Sequence, residues 1–100
     1  GVNLGEAEKL VLRALELKPG DGAVTDSLGW VYYKQGRFPE AAATLRKATE
    51  LSPKDAVIWE HLGDALKAAG DAEGSRAAYA KAVEADPGLE TARKKLEEQR

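Results

Sequence analysis

GAVTDSLGWVYYKQGRFPEAAATLRKATELSP, residues 22–53, reads as two helices joined by a tight turn. Over 22–34 the apolar residues Val24, Leu28, Val31 and Tyr32 recur at helical spacing and form one stripe. Gly29 sits mid-helix, where glycine costs about 1 kcal/mol relative to alanine. Close approach of a second helix offsets such a cost. Gln35-Gly36 closes the first helix, Gly36 taking the left-handed position that follows a C-cap. Phe38-Pro39-Glu40 opens the second, with proline and an acid in its first turn. That helix turns Ala41, Ala42, Leu45, Ala48 and Leu51 inward and stops before Pro53.

The same unit recurs to either side. Pro19, Pro53 and Pro87 are 34 residues apart, and each follows the same kind of phrase: RALEL at 13–17, KATEL at 47–51, KAVEA at 81–85. Leu28-Gly29 repeats as Leu62-Gly63, and Gly36 as Gly70. A fixed period of this length marks a repeat architecture. C-terminal to Pro53, a helix over 56–69 carries the stripe Trp59, Leu62, Gly63 and Leu66. A helix over 72–85 turns Ala78, Tyr79, Ala82 and Val83 inward. A last helix, Leu89–Arg100, has only Leu89, Ala92 and Leu96 as apolar residues, a narrow edge suited to a cap. N-terminal to Gly22, a helix over 3–18 begins at Asn3, a plausible N-cap with Glu6 three residues on. Its stripe is Leu4, Ala7, Val11, Ala14 and Leu15, widened by Leu10, Leu12 and Leu17. The chain therefore divides into a second helix of a partial repeat (1–21), full repeats at 22–55 and 56–89, and a capping helix at 90–100.

Composition removes several function classes. No apolar run approaches the roughly 18 residues of a membrane span, and the N-terminal GVNLGEAEKL carries acids where a signal peptide carries bases. A longer precursor could still supply one. The absence of cysteine rules out disulfides, thiolate metal sites and a cysteine nucleophile, and it is compatible with either redox compartment. A formal charge of −2 with interleaved signs shows neither the basic face of a nucleic-acid binder nor the Lys/Arg-rich face of a membrane-surface helix.

A 34-residue helix–turn–helix period with large residues at Leu28, Tyr32 and Leu45, small ones at Gly29, Ala41 and Ala48, and Pro53 resembles the tetratricopeptide repeat (TPR) family. The next unit matches through Trp59, Leu62, Gly63, Leu66, Tyr79, Ala82 and Pro87, and the N-terminal helix through Ala7, Val11, Ala14 and Pro19. Thr25, Leu66 and Ser75 depart from the usual aromatic, tyrosine and alanine. The resemblance covers essentially the whole chain. It implies an all-α, right-handed superhelical solenoid that binds a protein or peptide segment on a concave face lined by first helices, without catalysis or cofactor.

The family's concave positions fall here on Ala23, Asp26, Ser27, Trp30, Tyr33 and Lys34, then Val57, Glu60, His61, Asp64, Lys67 and Ala68. Trp30 lies off the apolar stripe with Tyr33 one turn on, the residue types of a binding hot spot. Core packing against a neighbouring helix is the equal alternative. Trp59 matches the family's own aromatic position and reads as core. Some family members grip a C-terminal carboxylate with lysine, arginine and asparagine. The matching positions carry Ala23, Ser27, Trp30, Val57 and His61, which disfavours a chaperone-tail ligand. Asp26, Glu60 and Asp64 beside Lys34 and Lys67 point instead to a peptide with basic and apolar residues. His61 is the only histidine, and it sits about 100° around the helix from Glu60, a poor start for metal binding or acid–base chemistry.

The N-terminal helix has no first helix of its own, so Leu4, Leu10, Val11, Leu12 and Leu15 lack one cover. An apolar face of that kind marks a truncation from a longer array or an interface. The second functional reading is accordingly a structural scaffold that self-associates through this helix, as a homo-dimer or a swapped oligomer.

Overall fold

The computed structural model describes residues 3–99, and all secondary structure in them is helical: α1 (Leu4–Leu17), α2 (Gly22–Lys34), α3 (Phe38–Leu51), α4 (Ala56–Ala68), α5 (Ala72–Ala85) and α6 (Glu90–Glu98). The expected helices are all present, their ends moved by a residue or two except at α6, whose expected Arg100 lies outside the described residues. Local chemistry sets these boundaries. Asn3 Oδ1 accepts the Glu6 N–H at 3.1 Å, the expected N-cap. Asp21 and Asp55, one repeat apart, cap α2 and α4 by accepting from Ala23 and Val24 and from Val57 and Ile58. Asp71 caps α5 through the Gly74 N–H at 2.8 Å. Gly36 and Gly70 have φ of +79° and +91°. The crossed bonds Arg37 N–H to Tyr32 O and Gly36 N–H to Tyr33 O seal α2, and the matching pair to Leu66 O and Lys67 O seals α4. Lys18, Ser52 and Asp86, each preceding a proline, leave the helical region as proline requires.

The helices form two hairpins, α2–α3 and α4–α5, stacked side by side with α1 and α6 at the two ends. Glycine makes each hairpin tight. A Cβ built on Gly29 would stand 2.5 Å from Leu45 Cγ, and one on Gly63 would stand 2.5 Å from Tyr79 Cδ1. Those contacts place Leu45 and Tyr79 among the most buried large side chains. Ser75, a departure from the family's alanine, is fully buried and donates its hydroxyl to the Gly63 carbonyl at 2.8 Å. Thr25, another departure, is also buried, its hydroxyl donated to Asp21 O at 3.0 Å. The core between the hairpins joins Ala41, Ala42 and Leu45 to Leu62, Ala65, Leu66 and Ala78. Position 97, one repeat on from Gly63, is a glutamate. α6 buries Ala92 against α5.

Several burial expectations need correction. Leu51 was expected inward. It lies in the last turn of α3 beside the start of α2 and stays 38% exposed, while Thr49 is buried in its place with its hydroxyl bonded to Arg46 O. Trp59 and Val83 are half-buried. Trp59 packs on the edge of the core and donates its indole N–H to Pro53 O at 2.8 Å, tying α4 to the preceding turn. On α1, no residue is buried. Leu4, Val11 and Leu15 are half-buried and Leu10 and Leu12 exposed, but the most exposed leucine is Leu17, which sequence reasoning left out of the self-association set.

Candidate functional site

The first helices α2 and α4 run side by side, and residues from both meet in one groove. On α2 the Trp30 and Tyr33 rings stack, centroids 4.8 Å apart and planes 10° from parallel. His61 of α4 stacks on Trp30 at 4.5 Å. Tyr33 meets Phe38 of α3 edge-on at 5.5 Å, which anchors the platform to the hairpin. Lys34 Nζ lies 5.1 Å from the Trp30 ring, within cation–π range. Trp30 is half-buried and outside the core cluster, and it also lines a hollow with Leu4 and Ala7 of α1.

Charges in the groove are arranged by the repeat. His61 Nδ1 is 2.8 Å from Asp26 Oδ1, and Lys95 Nζ of α6 is 3.1 Å from Glu60 Oε2. The first pair joins residues 26 and 61, the second residues 60 and 95. Both are 35 apart, so each first helix offers its carboxylate to a cation one position further on in the next. Lys95 also sits 3.1 Å from Asp64 Oδ1, and Asp64 accepts the Tyr79 hydroxyl at 2.6 Å. Glu60 is only 7% exposed. Its Oε2 holds the Lys95 charge at ion-pair distance without a well-directed hydrogen bond. The groove was expected to present Glu60 to solvent; α6 covers it instead. Ser27 remains exposed, its hydroxyl turned back to Ala23 O at 3.0 Å. Lys34 and Lys67, in the last turns of α2 and α4, are exposed and make no ion pair among the described residues.

Titration follows from these contacts. Burial pulls the His61 pKa down, but the Asp26 hydrogen bond and the charges of Asp26, Asp64 and Glu60 outweigh it, leaving it above the ordinary 6.5. A raised folded-state value means that the pair's contribution to stability is complete below about 6.5 and is lost as pH rises through the folded value. Replacing Asp26 by asparagine is expected to lower the His61 pKa below that of the unaltered protein, as read by NMR titration of the imidazole. Burial also lowers the Lys95 pKa, and the Glu60 and Asp64 carboxylates more than restore it. Tyr79 is raised, by burial first and then by its bond to Asp64, and stays protonated.

Of the candidate residues expected from the sequence, the structure brings Asp26, Trp30, Tyr33, His61 and Asp64 to one side of α2 and α4. Sequence reasoning missed Tyr79 and Lys95, which enter the groove from α5 and α6. The signal that could have found Lys95 is the repeat itself, since Lys95 stands one period after His61 and faces Glu60 as His61 faces Asp26. Among the described residues no three His, Cys, Asp or Glu side chains could hold a metal ion, and no helix is long and apolar enough to cross a membrane.

Known proteins share this architecture. A TPR repeat-containing protein of Pseudomonas aeruginosa is 48% identical over 42 residues, a match covering 42% of this chain and 7% of that protein. The first TPR domain of RPAP3, solved with an HSP90 peptide, superposes with a TM-score of 0.90 at 18% identity, over 96% of this chain and 76% of that one. A TPR protein of Thermus thermophilus gives 0.86 at 25% identity, over 96% and 49%. An O-GlcNAc transferase mutant of Thermobaculum terrenum gives 0.89 at 27%, over 96% and 18%. The family profile of the tetratricopeptide repeat matches residues 27–90. With that match over most of its length, and with the paired helices and the stack above, the chain belongs to the tetratricopeptide repeat family, whose members in general mediate protein–protein interaction.

Proposed function

We propose that the chain is a non-catalytic module that takes a peptide or protein segment along the groove of α2 and α4, with an apolar or aromatic side chain against Trp30. The observation that carries this is the Tyr33–Trp30–His61 stack, an aromatic platform whose Tyr33 end packs on the core while Trp30 lies outside the core cluster. Its flanking charges favour a different peptide from the basic one that the sequence pointed to. Asp26, Glu60 and Asp64 are matched inside the protein by His61 and Lys95, which leaves Lys34 and Lys67 as groove charges for a ligand. Acidic residues beside the apolar one complement them. The RPAP3 domain's peptide partner agrees with a peptide ligand in kind. The clamp positions Ala23, Ser27, Trp30, Val57 and His61 still argue against grip of a terminal carboxylate. The test is a fluorescence titration with acidic-apolar and basic-apolar peptide libraries. Binding of the acidic set is expected, weakened about ten-fold or more by Trp30→Ala. Equal binding by the alanine variant would remove the platform from the proposal.

A second reading, assembly through α1, is favoured by the exposure of Leu10 and Leu17, at 68% and 80%.

A further inference from the structure

His61 is held by one ring nitrogen, and its other nitrogen is free. Nδ1 lies 2.8 Å from Asp26 Oδ1, from α4 across to α2, and Trp30 stacks on the ring at 4.5 Å. The Asp26 contact fixes the tautomer: in the neutral ring Nδ1 carries the proton and donates it to the carboxylate. The second nitrogen, Nε2, then holds a lone pair and accepts, and only on protonation does it become a donor. Nε2 has no hydrogen-bond partner among the described residues, and the buried side-chain atom left without a partner is Glu60 Oε2. Nε2 therefore reaches solvent next to the Trp30 stack.

Its surroundings favour the charged ring. From α2 it meets Asp26, and Lys34 approaches the same Trp30 ring. On α4 itself stand Glu60 and Asp64. α5 sends the Tyr79 hydroxyl and α6 the Lys95 ammonium, both engaged by those two carboxylates. The residues of α3 in the core shared with α4 are Ala41, Ala42 and Leu45, and the charged side chains along α3 are exposed. Burial lowers the His61 pKa, and the three carboxylates outweigh it and leave it above 6.5. An imidazolium stacked on indole gains further stabilisation.

We propose that His61 is a proton-linked contact of the groove: its Nε2–H, present only on the imidazolium, donates to a carboxylate of the bound peptide, so that binding takes up one proton from solvent. This rests on the proposal that the groove takes an acidic and apolar peptide, and it names the residue that selects the acid. A carboxylate at Nε2 raises the His61 pKa above its value in the free protein. Affinity is then highest below the free value and is lost as pH rises through the bound one.

The probes are two capped, dye-labelled peptides, Glu-Glu-Leu-Glu-Glu and its neutral counterpart Gln-Gln-Leu-Gln-Gln. Fluorescence anisotropy gives their affinities for the unaltered chain, His61→Gln and Trp30→Ala at pH 6.0 and 8.5. Peptide carboxylates, with pKa values of about 4.3, stay ionised throughout. The N-terminal amine, with an ordinary pKa of about 7.7–8.0, also titrates in this range but is common to all three chains. NMR follows the imidazole with and without saturating peptide, unambiguously because the chain has a single histidine. The unaltered chain is expected to bind the acidic peptide about ten-fold tighter at pH 6.0 than at 8.5, with the His61 pKa rising by about one pH unit on saturation. The glutamine peptide, and His61→Gln with either peptide, are expected to show no pH dependence. Acidic-peptide binding that needs Trp30 but is flat in pH, or an unmoved His61 pKa, would overturn the proton linkage and leave the groove reading standing. A pH dependence that persists in His61→Gln or with the glutamine peptide would overturn it as well. Binding of neither peptide at either pH, or binding indifferent to Trp30→Ala, would overturn the groove reading and this inference with it.

Discussion

Replacing Tyr79 by alanine is expected to cost the fold about 3–5 kcal/mol. Replacing it by phenylalanine is expected to cost about 1–2 kcal/mol. Tyr79 is 1% exposed, and its ring fills the space that the absent side chain of Gly63 leaves between α4 and α5. Truncation would open a cavity in the middle of a hairpin, where two helices are held apart by backbone and cannot fully collapse. The phenylalanine keeps the ring and removes only the hydroxyl bond to Asp64, a carboxylate that retains Lys95 as a partner. Chemical denaturation of both variants reads the difference. Similar losses for the two would mean that the Gly63–ring contact carries little of the hairpin's stability. Gly29 and Leu45 repeat the arrangement in α2–α3 with an aliphatic side chain, so the same device recurs with different chemistry.

This contact was half visible in the sequence. A glycine that recurs mid-helix after 34 residues predicts close approach, and Leu45 and Tyr79 stand at the matching inward positions of the second helices. Periodicity finds such residues because packing of neighbouring helices imposes it. The helix ends were visible too, at Gly36, Gly70 and the prolines, since those depend on local backbone geometry. The misplacements share a different cause. Glu60 was assigned to the open groove because its place on the α4 wheel faces that way. Its cover comes from Lys95, which lies outside the helix and beyond any local pattern. Leu51 has the composition of a core residue but lies past the main crossing, in the last turn of α3, where only the start of α2 comes near it. Leu17 was read as widening an apolar stripe, and its exposure depends on which neighbour α1 has. Sequence patterns report which face of a helix is apolar. They do not report whether that face is covered.

The charges of the groove give the sharpest case. α4 carries Glu60 and Asp64 one turn apart, and a single ammonium, from Lys95, lies against both. The Tyr79 hydroxyl supplies Asp64 with a further bond, whereas Glu60 Oε2 has only the Lys95 charge. Lys95→Met would leave two poorly hydrated carboxylates without their cation. Removing one partner of a fully buried pair costs about 3–5 kcal/mol. Because Lys95 is itself about one-third exposed, water would screen part of that, and a loss of about 2–3 kcal/mol is expected at neutral pH. Repulsion and burial would then push a carboxylate pKa up in the variant's folded state. Its protonation on acidification favours the folded form, so the deficit against the unaltered protein should shrink as pH falls from 7 towards 5. A second substitution, Glu60→Gln, removes the charge that Lys95 balances and is expected to restore much of the stability of Lys95→Met. Denaturation of the single and double variants at both pH values measures the coupling. An unchanged deficit in the double variant would mean that Lys95 holds α6 by the packing of its aliphatic stem and not by charge, and the groove would then owe its electrostatic balance to His61 alone.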